Sequence, residues 1–330
     1  GNLATPTIAK GEDYFNALTY ASSGAKTGVG FQPDLVWVKA RGNAYDHELT
    51  DSVRGVTKAL SSNDTGVETT DSTGLTAFGT DGFTVGAGTN YSTSSMVAWS
   101  WKKSATAGFN IVGWTGDAPD YGSGTKELTH SLGVAPEMII LKNRTDNAGM
   151  SAGWYVHHKD LSSNSHLLLN SSDGEAWAME DVITNIGTSK VDVGTDDSSF
   201  YFNYGGDDFG GSADTYIGYF FASVEGYSKV GSFSGSSTAF IYTGFRPSFI
   251  LAKRYDLAGG NWLMFDDKRE GYNVDNDDLE ANSSAIEATT DHIDILSNGF
   301  KIQTSDADLN GGTLIYLAVA KNPFKYASAR

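Results

Sequence analysis

One ten-residue pattern occurs three times in this chain, and it limits the fold more than any other feature. The copies are Gly30-Phe31-Gln32-Pro33-Asp34-Leu35-Val36-Trp37-Val38-Lys39, Gly133-Val134-Ala135-Pro136-Glu137-Met138-Ile139-Ile140-Leu141-Lys142 and Gly244-Phe245-Arg246-Pro247-Ser248-Phe249-Ile250-Leu251-Ala252-Lys253. An arginine follows each, at Arg41, Arg144 and Arg254, and three of the 6 prolines of the chain sit at this one place. A repeat of this spacing marks a unit of about 100 residues, the size of a small domain. Gly and Pro punctuate the backbone, and the short apolar run behind them suits a strand covered on both faces. Pro at the head of a strand removes no ladder bond. The run reads as scaffold (Gly30, Pro33, Lys39; Gly133, Pro136, Lys142; Gly244, Pro247, Lys253), with each Lys and Arg expected to end it at the surface.

Around this motif the rest of each copy falls into place. Phe109–Gly116 and Tyr227–Phe233 match Tyr14–Tyr20 as an opening strand. Asp46–Asp51, Trp154–His158 and Trp262–Asp266 match one another in the middle. Asp81-Gly82-Phe83-Thr84-Val85, Ser199–Phe202 and Asn298-Gly299-Phe300-Lys301-Ile302 read as a late hairpin strand. Val97–Trp101, Ile217–Phe221 and Tyr316–Ala320 close the copies with a small residue between large ones. Asp278–Ala281 is expected to hold a short helical turn. The fold class is therefore all-β: three tandem antiparallel β-sandwich repeats, jelly-roll or lectin-like, at residues 1–107 (with 1–12 a lead-in arm), 108–226 and 227–330. They could string out as beads or close around a pseudo-threefold axis. Short linkers near 103–108 and 225–227 predict packed units. Variable loops on such a scaffold are where binding differences concentrate.

Composition narrows the function. The formal net charge is -17, and most of the excess lies in residues 108–226. Such a surface repels phosphates, so no nucleic acid is expected as a partner. No cysteine is present, which removes disulfides and thiolate metal sites. No apolar run is long enough to insert in a membrane as a helix, and the first residues show no basic-plus-apolar leader pattern.

Candidate chemistry is sparse. His157, His158 and His166 with Asp160 form a histidine group, but neighbours on a strand point to opposite faces. Asp306-Ala307-Asp308-Leu309-Asn310-Gly311 opens like a calcium loop, yet Leu317 stands where an EF-hand needs Glu, so Asp306, Asp308 and Asn310 are at most a looser calcium site beside a solvated turn. The acidic groups Asp192/Asp196/Asp197 and Asp207/Asp208/Asp214 read as solvated turns. Trp154, Trp177 and Trp262 are candidates to stack on sugars, although the match of Trp154 with Trp262 in the repeat favours core packing. No nucleophile–base pair, zinc motif or arguable carboxylate pair points to an enzyme. No cofactor is expected beyond calcium.

Tyr14–Tyr20, Gly28–Lys39, Asp51-Ser52-Val53-Arg54-Gly55, Asp81-Gly82-Phe83 and Val97–Lys102, with the closing Asn322–Arg330, resemble a repeat domain of bacteriophage virion proteins common in marine phages, including those of cyanobacteria. The resemblance covers all three copies and implies a virion structural role as capsid decoration, appendage or tail fibre. It implies a homo-oligomer, a trimer by preference, meeting other virion proteins at the particle surface, and it brings no catalytic residues. A glycan- or receptor-binding lectin-like module is the second reading, and a glycan depolymerase the third.

Overall fold

The computed structural model describes residues 7–117, 124–145, 153–177, 182–194, 214–269, 273 and 275–322. Within them the protein is all-β: antiparallel sheets, one 3₁₀ turn at Gly11–Asp13, and no α-helix. The first segment holds β1 (Phe15–Tyr20), β2 (Gly24–Thr27), β3 (Leu35–Ala40), β4 (Glu48–Asp51), β5 (Lys58–Ala59), β6 (Thr69–Thr70), β7 (Leu75–Gly79), β8 (Gly82–Val85) and β9 (Met96–Trp101), in sheets β1-β9-β3-β4, β2-β8-β7 and β5-β6. The second holds β10 (Phe109–Thr115), β11 (Lys126–Thr129), β12 (Met138–Asn143), β13 (Tyr155–His158), β14 (Ser165–Leu168), β15 (Ala176–Trp177), β16 (Ile183–Thr184), β17 (Lys190–Val193) and β18 (Thr215–Phe221), in sheets β10-β18-β12-β13-β14-β15 and β11-β17-β16. The third holds β19 (Ser228–Ser234), β20 (Phe240–Tyr242), β21 (Pro247–Arg254), β22 (Trp262–Asp266), β23 (Asp275–Glu280), β24 (Ala288–Leu296), β25 (Gly299–Ile302) and β26 (Thr313–Ala320), in one sheet ordered β19-β26-β21-β22-β23-β24-β25-β20. The order β1-β9-β3-β4 thus recurs as β10-β18-β12-β13 and β19-β26-β21-β22.

The repeated apolar run becomes β3, β12 and β21, and its burial has a two-sided cause. Side chains alternate across a strand. Val36, Val38 and Ala40 face a cluster with Leu75, Phe83 and Val85 inside the first segment. Ile139 and Leu141 do the same with Leu128, Val191 and Val193 in the second. The alternate residues Leu35, Trp37, Met138, Ile140, Phe249 and Leu251 meet in one core that draws on all three segments. That shared core leaves an apolar cavity of about 20 Å³, lined by residues of every segment, Trp37, Tyr219 and Leu317 among them. A cavity of that size admits one water, but the lining offers no polar partner to hold it. The motif glycines Gly30, Gly133 and Gly244 all take positive φ (91°, 73° and 88°), which explains why glycine heads each copy.

Four expectations are corrected. Lys39, Lys142 and Lys253 do not surface; each is 0% exposed. The strand equivalent to β8 in the second segment is β17, since β11-β17 corresponds to β2-β8; residues 199–202 lie outside the described residues. Asp278–Glu280 is part of a strand, β23, and not a helical turn. The closing strand of the third segment was aligned one residue out. Its ladder pairs Leu251 with Leu317, as Trp37 pairs with Trp99 and Ile140 with Tyr219. A one-residue slip exchanges the two faces of a strand, so Leu317 corresponds to Trp99 and Tyr219, and Tyr316 to the small Ala98 and Gly218. Gly231 makes room for Tyr316, since a Cβ there would lie 2.9 Å from the Tyr316 hydroxyl.

The Asp-Gly and Asn-Gly signals do mark hairpins, β7-β8 and β24-β25, but the glycines have a further reason. A Cβ at Gly82 would lie 1.9 Å from the Lys26 carbonyl oxygen, and one at Gly299 2.0 Å from that of Ile241. Gly299→Ala is expected to lower the free energy of unfolding by more than about 1 kcal/mol, measured by urea denaturation, with Gly42→Ala as a comparison at an open site without positive φ.

Candidate functional site: the three seams

Where the segments meet, the residue at the head of each fourth strand reaches across to a carbonyl of a neighbour. Trp154 Nε1 donates to the Ser61 carbonyl at 2.8 Å, and Trp262 Nε1 to the Leu168 carbonyl at 2.9 Å. His47 occupies the same position in the first segment. Its Nδ1 accepts from Trp37 Nε1 at 2.9 Å, which leaves Nε2 as the N–H that donates to the Glu280 carbonyl at 3.0 Å. The contacts run from the second segment to the first, the third to the second, and the first to the third. The circuit closes within one chain.

Two seams carry a buried carboxylate–guanidinium node. Asp51 Oδ2 accepts from Arg54 Nε at 2.5 Å and from the Tyr219 hydroxyl at 2.8 Å. Asp266 Oδ2 accepts from Arg269 Nε at 2.7 Å and from Trp99 Nε1 at 2.9 Å, while the Arg269 guanidinium lies over the Trp99 ring at 5.7 Å. In each node the other carboxylate oxygen takes two backbone N–H groups of the following turn, and the arginine also donates to a backbone carbonyl of its own fourth strand. Every lone pair and N–H that burial would strand thus has a partner, which is the condition for a buried ion pair to be tolerated. The signal for these nodes is the spacing Asp-x-x-Arg at 51–54 and 266–269, visible once the fourth strands are aligned. Their purpose is not readable from it, because Tyr219 and Trp99 arrive from other segments.

Outside each node lies a second charged pair. Arg144 Nε and Nη2 grip Glu68 at 2.9 and 3.0 Å, and Arg41 grips Glu287 and reaches Asp277 at 3.0 Å. Two of the motif arginines, Arg41 and Arg144, therefore clamp seams. The motif lysines cap loop carbonyls: Lys39 Nζ donates to Ala40 at 2.8 Å, Lys142 Nζ to Asn143 at 2.8 Å, and Lys253 Nζ to Ser172 of the second segment at 3.1 Å. Burial pushes the Lys39 and Lys253 ammonium groups down to about 8. Beside the outer end of each seam sits one exposed aliphatic side chain. Val67 (43% exposed) precedes Glu68, Ile286 (55%) precedes Glu287, and Leu257 (52%) follows Tyr255, whose carbonyl accepts the Glu175 N–H.

The candidate ligand residues take other roles. Trp154 and Trp262 are 0% and 1% exposed, so neither offers a face to a sugar. The Trp177 side chain lies outside the described residues. Asp306 Oδ1 accepts from the Asp308 N–H at 2.8 Å, and Asn310 donates to the Ser305 carbonyl at 3.3 Å; these are bonds within the turn. Asp308 Oδ2 takes the Asn261 N–H, and burial together with neighbouring Asp306 raises the Asp308 carboxyl. His166 stacks on Tyr155 at 4.8 Å, and His158 Nδ1 accepts from the Asp160 N–H. Among the described residues no group of three His, Asp or Glu converges on a metal position. Asp192 and Asp214 bond to Asn185 and Asn143; Asp196, Asp197, Asp207 and Asp208 lie outside the described residues.

A family model described as a domain of unknown function (DUF7483) matches residues 10–323. The chain belongs to this family, and all three segments fall inside the single match. No curated protein and no solved structure matches the chain.

Arg269→Met removes one partner of a buried pair and is expected to lower stability by about 3–5 kcal/mol, read by denaturation. The lysines give a pH signature. The unfolded chain holds the two protons up to the ordinary 10.5, the fold only to about 8. Between those values the unfolded state binds more protons, so stability rises with pH across that window. Above 10.0 the opposite holds for tyrosines whose hydroxyls burial raises, Tyr20, Tyr219 and Tyr227 among them. The Tm is expected to climb from pH 8 towards 10 and then fall, and the climb is expected to shrink in Lys39→Met/Lys253→Met to the part due to Lys268, which burial also lowers.

Proposed function

We propose that this member of the DUF7483 family is a non-enzymatic structural protein of a bacteriophage particle, a capsid decoration, appendage or tail-fibre part. In this reading it is three copies of one β-sandwich, jelly-roll or lectin-like, at residues 1–107, 108–226 and 227–330, closed around a pseudo-threefold axis. The supporting observation is the use of charge and aromatics. The histidine at the head of the first fourth strand, both matching tryptophans, Arg41, Arg144 and Lys253 are engaged in bonds between the segments. Among the exposed apolar side chains, Val67, Leu257 and Ile286 lie one beside each seam, Val67 and Ile286 at matching positions and Leu257 on the opposite strand. Scattered exposed apolar residues are ordinary, but one beside each seam suits docking on a symmetric site of a particle. The three seams close within one chain, so burying them needs no second copy. A trimer would have to form through other surfaces, and light scattering decides between 35.1 kDa and three times that mass.

The test is the composition of the particle. The chain is expected in purified particles of the phage that encodes it, by mass spectrometry and antibody labelling. Val67→Asp/Leu257→Asp/Ile286→Asp is expected to fold but fail to incorporate. Absence of the wild-type chain from particles would overturn the proposal.

A second reading, a glycan-binding surface, rests on Phe240 and Tyr242, 49% and 60% exposed on one face of edge strand β20. They replace the buried tryptophans as candidate stacking residues. If this surface binds sugar, saturable binding on a glycan array is lost in Phe240→Ala/Tyr242→Ala while the Tm is unchanged.

A further inference from the structure

The three seams are equivalent in position and unequal in chemistry. In the ladders His158 pairs with Met138 as Asp51 pairs with Leu35 and Asp266 with Phe249. The seam between the second and third segments therefore carries His158 where the others carry the node aspartate. Three residues on, Leu161 stands in place of Arg54 and Arg269, and Leu317 faces it in place of Tyr219 and Trp99. None of the three components of a node is present. The outer clamp is missing too, because Tyr255 holds the position of Arg41 and Arg144, and the neighbouring Arg254 turns back to Asp256 at 2.9 Å within its own segment. Among the described residues, this seam is crossed by backbone bonds, the Trp262 indole, Lys253 on the Ser172 carbonyl, the Asp160 carboxylate on Ser232 and, beside the linker, the Ser223 and Ser228 hydroxyls, with no ion pair. His158 is 1% exposed, and burial pushes its imidazole down to about 4, which keeps it neutral.

These differences act in one direction. Hydrogen bonds to charged groups contribute more net stability than neutral ones. Opening either latched seam hydrates a satisfied node and breaks a bidentate Arg–Glu contact. Opening the third breaks backbone and indole bonds and two contacts of a charged group with a neutral partner, Lys253 with Ser172 and Asp160 with Ser232, but no buried ion pair. The seam between the third and first segments, which no peptide linker spans, is the more heavily fastened. It has the Arg41 clamp, the Ser62 hydroxyl on the Ala281 carbonyl at 2.7 Å, and the Glu12 N–H on the Lys321 carbonyl at 2.8 Å.

We propose that the circuit is latched at two seams and unlatched at the third, so that the native protein opens between residues 108–226 and 227–330 while the other two seams stay closed. Opening uncovers Leu317, Trp262 and the apolar axis to water. This makes the second–third seam the movable joint of the molecule.

The structure supplies its own reporters, because one tryptophan indole N–H spans each seam. Trp154 bridges the first and second segments, Trp99 the first and third, and Trp262 the second and third. All three are buried to within 1% of completely, so exposure in the closed state does not separate them. Hydrogen exchange of the three indoles, followed by NMR on the full chain, is expected to show Trp262 exchanging at least about ten-fold faster than Trp99 and Trp154, a ratio equivalent to about 1.4 kcal/mol. The Glu175 and Gly259 amides, which also bridge this seam, are expected to exchange with it, ahead of the Glu68 and Glu287 amides at the latched seams. Equal rates for the three indoles, or an earlier Trp99 or Trp154, would overturn the proposal without any variant. As a second measurement, His158→Asp/Leu161→Arg/Leu317→Tyr installs the missing latch. A folded variant should slow Trp262 exchange towards the other two; an unchanged Trp262 rate would remove the latch as the cause.

Discussion

The structure depends on burying one strand of each segment on both faces. β3, β12 and β21 face a local sandwich cluster with one set of side chains and the shared axis with the other. A segment alone would leave the axis face, with Trp37, Ile140 or Leu251, open to water. Burial of apolar area stabilises at roughly 25 cal/mol per Å², so three large apolar faces meeting at one axis outweigh any single polar contact. The seams, the lysine caps and the nodes are consequences of bringing those faces together.

Polar groups then had to be reconciled with a dry interior. The lysine ending each apolar run shares its face with the axis residues, and it is buried because the neighbouring segment covers it. It is tolerated because loop carbonyls surround its ammonium group. The same holds for Asp51 and Asp266, whose oxygens are all occupied. Where that chemistry is absent, at His158, Leu161 and Leu317, the fold closes on apolar contact and on hydrogen bonds without an ion pair. Equivalent positions thus give one geometry with unequal fastening, and the asymmetry in sequence becomes an asymmetry in how firmly each seam is held.

The site residues divide along the same line. A residue whose role lies within its own strand or turn is legible from local pattern. Pro247 heads its strand, Gly30 needs positive φ, and the Asp306 turn bonds to itself. A residue whose role lies across a seam is not. Trp154 and Trp262 look alike in sequence whether they stack on a sugar or donate to Ser61 and Leu168. The equivalence of His47 with them is hidden because its ring does the same task with different atoms. The one-residue misalignment at Tyr316–Ala320 arose because an apolar strand buried on both faces has no polar alternation to fix its phase.

The sequence by itself determined the all-β class, the threefold recurrence of one strand motif, the positions of the fourth strands, and the hairpins at Asp81-Gly82 and Asn298-Gly299. These follow from short-range rules: side-chain period, turn residues, and the spacing of glycine and proline. Only the tertiary structure decided that the axis closes within one chain, that Lys39, Lys142 and Lys253 are interior, and that Asp51 and Asp266 receive donors from distant segments. The physical reason is that burial and hydrogen-bond partnership are set by atoms far apart in the chain. The sequence fixes which groups must be satisfied, while their partners exist only once the segments meet.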